Sequence, residues 1–166
     1  MKAFFAGSFD PITNGHLSLI EQGLKFVSEL HIVVGNSGFK KYALPGDVRV
    51  ELVKKALKTE IEKGGRIEIH SWSGLITEFA KEKNIWVSIR GVRNSQDYEY
   101  ESNMAEINKK LSPQFETIML PCAPDMKSVS SSAVRELLRF DGDIRQFVPE
   151  SITPDIKEFE NAFKKN

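Results

Sequence analysis

Gly7-Ser8-Phe9-Asp10-Pro11-Ile12-Thr13-Asn14-Gly15-His16 decides how this 166-residue chain is read. The run before it, Ala3-Phe4-Phe5-Ala6, is continuously apolar, as a strand buried on both faces of a parallel sheet is. After it, Leu17, Ile20, Leu24 and Val27 recur at intervals of three, four and three and share one helix face. The ten residues are therefore a strand-to-helix turn. Such a turn aims the free N–H groups of a helix N-terminus at whatever sits there, and anions are favoured at that end. Gly7 is expected to let the chain leave the strand tightly, and Gly15 to let a ligand approach backbone that carries no Cβ. His16, in the first helical turn, then stands beside the same anion. Taken singly, a histidine at a helix start is a solvated or capping residue, and a glycine-containing turn is common in α/β proteins. The combination is what points to a phosphate.

Composition narrows the partners. The chain is 40% hydrophobic, and its length suits one domain with a core better than two. Its 23 Lys and Arg balance 23 Asp and Glu, which argues against a nucleic-acid-coating protein but leaves room for a small basic pocket. The single cysteine, Cys122, excludes an internal disulfide and a cysteine-rich metal site. It reads as a small buried hydrophobe near a strand end. No charged-then-apolar leader precedes the first strand, and no apolar run reaches the roughly 20 residues that cross a bilayer. The expectation is a soluble cytoplasmic protein with neither nucleic acid nor membrane among its partners.

Strand and helix patterns alternate along the rest of the chain. Leu30 to Val34 reads as a second strand, and Gly35 to Gly46 as a loop carrying Lys40-Lys41. Pro45 and Asp47 open a helix through Val48, Leu52, Val53, Ala56 and Leu57, broken at Gly64-Gly65. Arg66 to His70 is a third strand, and Gly74 to Lys83 a helix with Leu75, Ile76, Phe79 and Ala80 inward. Ile85 to Ile89 is a fourth strand ending at Arg90-Gly91. Asp97 to Leu111 is a long helix striped by Tyr100, Met104, Ile107 and Leu111, and Pro113 marks its end. Glu116 to Leu120 is a fifth strand, Ser130 to Phe140 a helix, and Ile156, Phe159 and Phe163 stripe a last helix at about 154–164. The fold expected is α/β: one Rossmann-like domain over 1–166, a five-stranded parallel sheet with helices on both faces.

Ligands of such sheets bind outside the carboxyl ends of the strands, near the switch point. The candidate residues obey that rule. His16 follows the first strand, Lys40 the second, Arg90 and Arg93 the fourth, and Ser130 to Ser132 the fifth. A lysine pair in a loop is ordinarily solvated surface, but a flexible ammonium beside a phosphate neutralises charge as it develops. Arg90 and Arg93 have the reach for bidentate phosphate binding, against the alternative of ion pairs with Asp97 or Glu99. Gly91 between them is expected to admit close approach to the backbone. One of the three serines must cap the helix it begins, and the same helix start offers a second phosphate site.

The first motif resembles the TxGH or HxGH signature of the nucleotidyltransferase superfamily. Ile89-Arg90-Gly91-Val92-Arg93, Asp97-Tyr98-Glu99-Tyr100-Glu101, the serines, and Gly142-Asp143 with Val148-Pro149-Glu150 follow in order. With the lysine pair they make the chain similar to the phosphopantetheine adenylyltransferases from about residue 3 to 150. The resemblance implies transfer of AMP from ATP to 4′-phosphopantetheine, giving dephospho-coenzyme A and pyrophosphate by in-line attack without a covalent intermediate. It implies that His16, Lys40 and Arg90 are catalytic, and that Ser8, Lys40, Ile76 and Arg90 hold the acceptor. ATP would meet Ser8, Phe9, His16, Gly91, Val92, Arg93, Glu101, Met126, Lys127, Ser128, Val129, Ser130, Ser131 and Ser132. Mg²⁺ would travel with ATP rather than in a protein cage, and the assembly would be a homohexamer.

Three positions depart from the family's commoner pattern: Ser8 stands for Thr, Ala6 for Pro, and Met126-Lys127 for an aromatic–polar pair. Two other readings share the first motif. One is another small-molecule nucleotidyltransferase, such as a nicotinate mononucleotide adenylyltransferase or a cytidylyltransferase, which usually carries His where this chain has Thr13. The other is a non-catalytic nucleotide-sensing module.

Overall fold

Short apolar runs separated by amphipathic helices leave the chain one economical arrangement, a parallel sheet whose crossovers run through helices. The computed structural model, which describes residues 1–64 and 66–164, has that form. Gly65, the second glycine expected to break the second helix, lies outside the described residues. The order is β1 (Lys2–Gly7), α1 (Asn14–Leu24), β2 (Glu29–Gly35), α2 (Gly46–Glu62), β3 (Ile67–Trp72) and α3 (Ile76–Lys83). Then come β4 (Val87–Val92), α4 (Ser95–Leu111), β5 (Glu116–Pro121), α5 (Ser131–Arg139), α6 (Thr153–Glu158) and α7 (Glu160–Lys164).

The sheet order is β3-β2-β1-β4-β5 and every pairing is parallel. The fold is the expected α/β Rossmann-like one, and its order reverses between β1 and β4. Pairing across that reversal is sparse. β1 is in register with β2 from Lys2–Glu29 to Gly7–Val34, whereas its register with β4 is Phe4 opposite Ser88 alone.

Both faces of the sheet are covered. On one, Phe5, Ile32, Val34 and Ile89 pack with Leu19 and Ile20 of α1, Leu52, Val53 and Leu57 of α2, and Val134 and Leu138 of α5. Ile152, Ile156 and Phe163 close the same core, so the carboxyl-terminal helices belong to it. On the other, Phe4 and Val33 meet Phe79 and Ala80 of α3 and Phe115. Phe4 stacks edge-on against Phe79 at 5.5 Å and Phe115 at 5.7 Å between ring centroids, a favoured aromatic geometry.

Several details differ from the periodicity. β4 starts two residues later and ends three later than expected, so Arg90 and Gly91 are strand residues rather than followers of it. Arg66 lies outside β3, which extends to Trp72. The buried face of α1 is Leu19, Ile20 and Gly23, because Gly23 and Gly91 let that side approach the sheet. Leu75 is exposed as the residue before α3, where it faces the cleft described below. The last helix is two, interrupted at Phe159. The largest difference is α4, none of whose residues is buried: Tyr100, Ile107 and Leu111 of the expected stripe are exposed, as is Tyr98.

Candidate functional site

The turn after β1 is shaped by its polar side chains more than by its glycines. Phe9 takes the left-handed conformation, φ 46°, and the Asp10–Pro11 peptide is cis. Asp10 is buried and accepts from the backbone N–H groups of Ala43 and Leu44, both at 2.9 Å, tying this turn to the loop after β2. A Cβ on Gly7 would press on the Phe9 ring at 3.1 Å, and one on Gly15 would meet the Val129 carbonyl at 3.0 Å. Gly15 therefore makes close contact with the loop before α5, and it also lines the smaller of the cavities described below. Gly91 likewise lines that cavity, and its Cβ would fall 2.1 Å from Leu19 Cδ1. Its missing side chain admits α1.

Thr13 caps α1 and fixes His16. The Thr13 backbone N–H donates to His16 Nδ1 at 3.0 Å, with Thr13 Oγ1 2.9 Å from the same nitrogen. A backbone N–H only donates, so Nδ1 accepts, and the neutral ring carries its proton on Nε2. Burial, with the positive charges of Arg93 and Arg90, pushes the His16 pKa down to about 4. The Phe9 ring, itself buried, backs the imidazole at 5.0 Å between centroids. His16 is thus an oriented neutral donor around pH 7.

Two cavities meet at the carboxyl ends of β1 and β4. The smaller, 360 Å³, is lined by Ser8, Phe9, His16, Gly91, Arg93 and Glu101 and by Val129, Ser130, Ser131 and Ser132. The larger, 660 Å³, runs between α3 and α4 past Ile76, Trp72, Leu75 and Met104. Ala6, Gly7, Ser8, Lys40, Arg90 and Glu101 belong to both. Lys40 Nζ donates to Ser8 Oγ at 2.8 Å, and Arg90 grips Glu101 with Nε at 2.7 Å and Nη2 at 2.6 Å while Nη1 donates to the Ala6 carbonyl. Arg93 pairs with Asp97, which keeps that carboxyl below its usual range. Cys122 lines the smaller cavity beside Arg93, and burial raises its thiol pKa.

Of the candidate residues, Val92, Met126, Lys127 and Ser128 line neither cavity. Lys127 falls just after a 3₁₀ turn, Pro124–Met126. Ser130 is the cap of α5, accepting from Ala133 N–H at 3.1 Å, and Ser131 donates to the Pro11 carbonyl at 2.8 Å. The alternative ion pairing of the arginines is present too, to Asp97 and Glu101 rather than to Glu99. Two arginines escaped the sequence reading. Arg135 lines the smaller cavity, donating to the Asp10 carbonyl at 2.7 Å and Ser132 Oγ at 3.2 Å. Its signal was its place three residues after Ser132. Arg49, buried among the apolar residues of α2, donates to the carbonyls of Ser8 at 2.6 Å, Gly35 at 2.9 Å and Leu44 at 3.1 Å, and to Asn36 Oδ1. Its guanidinium also lies 3.9 Å from the Tyr42 ring centroid.

The cytidylyltransferase-like family model matches residues 4–137. A phosphopantetheine adenylyltransferase of Clostridium botulinum strain Hall is 40% identical over 156 residues, covering 94% of this chain and 93% of that protein. One of Mesorhizobium japonicum is 34% identical, covering 90% and 91%. Among solved structures, a Vibrio parahaemolyticus protein provisionally assigned as a nicotinate-nucleotide adenylyltransferase superposes with a TM-score of 0.72 at 15% identity, over 99% of this chain and 96% of that one. A Thermoplasma volcanium lipopolysaccharide core biosynthesis protein gives 0.53 at 18% identity, over 74% and 96%. At these identities the structural likenesses speak for the fold.

Proposed function

Because this chain belongs to the phosphopantetheine adenylyltransferase family of cytidylyltransferase-like nucleotidyltransferases, we propose that its two joined cavities hold ATP and 4′-phosphopantetheine in line across the wall they share. The chain is an enzyme that transfers AMP from ATP to 4′-phosphopantetheine, yielding dephospho-coenzyme A and pyrophosphate in coenzyme A biosynthesis. One observation carries the assignment of residues: Lys40, Ser8 and Arg90 stand where the long cleft opens onto the compact basic cavity that contains His16.

The acceptor phosphate is already an anionic nucleophile and needs no general base. Catalysis then consists of holding two mutually repelling anions in line and stabilising charge on the α-phosphoryl group as it becomes five-coordinate. Lys40, Ser8 and Arg90 receive the acceptor phosphate, with the pantetheine arm along Ile76. The phosphates of ATP lie between His16, Arg93 and the start of α5. The His16 Nε2–H, fixed by the Thr13 bond to Nδ1, donates to the α-phosphoryl oxygen. The carboxylates that line the smaller cavity, Asp97 and Glu101, are committed to Arg93 and Arg90. These pairings favour Mg²⁺ carried with ATP, where it would supply neutralising charge to the phosphates.

The unburied α4 supports an oligomer. Tyr98, Tyr100, Ile107 and Leu111 are apolar surface that a single chain leaves in water. A homohexamer formed through this helix is the assembly we propose. No helix among the described residues is long and apolar enough to span a membrane, and the proposed location is the cytoplasm.

Pyrophosphate release from ATP and Mg²⁺, with 4′-phosphopantetheine and nicotinate mononucleotide as competing acceptors, tests the reading. Release with phosphopantetheine is expected. Release with the mononucleotide alone would keep the fold and His16 but overturn 4′-phosphopantetheine as the acceptor.

A further inference from the structure

Four polar side chains gather on the α3 side of the sheet, and none of them lines either cavity. Glu29 and His31 alternate along β2, Glu68 and His70 along β3, and the register puts His31 opposite Glu68. Alternation places all four on one face. His31 Nδ1 lies 2.8 Å from His70 Nε2, and Glu68 Oε2 lies 3.7 Å from the former and 3.6 Å from the latter. Adenylyl transfer uses none of them.

We propose that His31 Nδ1, His70 Nε2 and a Glu68 carboxylate oxygen form a site for a divalent transition-metal ion, with Zn²⁺ the ion they fit. Ligands at one face of a tetrahedron with bonds of about 2.0–2.1 Å stand about 3.3–3.4 Å apart. The three separations here bracket that value, so rotations of the side chains suffice to bring the atoms into coordination. Two imidazoles and one carboxylate suit zinc and its neighbours, while Mg²⁺ prefers oxygen alone. The outer shell is also in place. His31 Nε2 lies 2.7 Å from Glu29 Oε1, and Lys2 Nζ holds the same oxygen at 2.9 Å. A ring whose far N–H donates to a carboxylate presents its other nitrogen as a lone pair, as metal-binding histidines do.

Without metal, His31 Nδ1 accepts, so His70 Nε2 carries the proton of their shared hydrogen bond. Binding moves that proton to His70 Nδ1, leaving Nε2 free to ligate, with no net change in protons. Glu68 is exposed and His70 partly so, which gives the ion a path from solvent. The ion joins the edge strand β3 to β2, so its effect is on the hold of that edge rather than on the reacting phosphates.

The test uses ZnCl₂ with the intact chain in excess Mg²⁺, followed by calorimetric titration and by melting. Wild type should take up one Zn²⁺ per chain with a rise in Tm, and Co²⁺ should give the visible absorption of a tetrahedral ion. Glu29→Gln should weaken binding about 10–100-fold, as loss of an outer-shell partner does. Glu68→Gln, at an exposed position, should weaken it more, and His70→Gln should abolish the Tm rise. The nitrogen resonances of His70 should report the switch from Nε2–H to Nδ1–H. Zinc bound equally well by His70→Gln or by Glu68→Gln would overturn the site, and so would wild type that takes up none.

Discussion

At the scale of the residue, His16 is governed by neighbours that a motif does not display. The sequence placed it at a helix start beside an anion; its tautomer came from the Thr13 N–H, and its neutrality from burial beside Arg93 and Arg90. Removing the imidazole with His16→Ala should lower turnover by about 10²–10³-fold, the usual effect of losing one preorganised donor. ATP binding should fall far less, a split that kcat and nucleotide titration separate. The pKa of about 4 also fixes a sign. An unfolded histidine takes up its proton near pH 6.5, while the native ring refuses it until about 4, so this residue withdraws stability as pH falls through that interval. An imidazole titration by NMR should show His16 still neutral at pH 5. Arg49 was illegible for a different reason. A charged residue in a helix reads as solvated surface, and only the loops folding over α2 bring three carbonyls to its fork. Arg49→Lys keeps the charge but strands those acceptors, and should destabilise by about 1–3 kcal/mol in urea melts. The KM for the acceptor should rise, since Ser8 and the loop carrying Lys40 lose their clamp.

At the scale of the element, strands were read better than the faces of helices. Runs such as Leu30 to Val34, apolar but for His31, are buried on both sides, whereas a helical stripe says only that something covers it. For α2 the cover is the sheet; α4 rests on β4 and β5 but, among the described residues, leaves Tyr100, Ile107 and Leu111 exposed. Glycines were legible only in part for a related reason, since sequence reveals a missing Cβ but not what fills its space. At Gly91 that filler is Leu19, so Gly91→Ala should cost about 1–3 kcal/mol by overpacking. Leu19→Ala added to it should cost less than it does in wild type. A double-mutant cycle of Tm values measures that coupling.

At the scale of the whole molecule, the parallel sheet and the gathering of candidate residues at its strand ends were legible because topology leaves a βα chain few choices. Assembly was not, since apolar positions look alike whether a core or a neighbour covers them. If α4 is the contact, light scattering should give a mass about six times the 18.8 kDa of one chain, and Ile107→Asp should reduce it toward one. The sparse register between β1 and β4 has a mechanical meaning. Continuing it from Phe4 opposite Ser88 would set Ala6 opposite Arg90, yet the Ala6 carbonyl is met by the Arg90 guanidinium. The sheet is thus two plates joined along a lightly stitched seam, with Lys40 on one plate and Arg90 on the other. Under the proposed assignment, an acceptor phosphate gripped by both would act as a rivet through that seam. Deuterium uptake in β1 and β4 should slow when 4′-phosphopantetheine binds, while the β2–β3 side keeps its rate, so that substrate completes the mechanical continuity of the sheet.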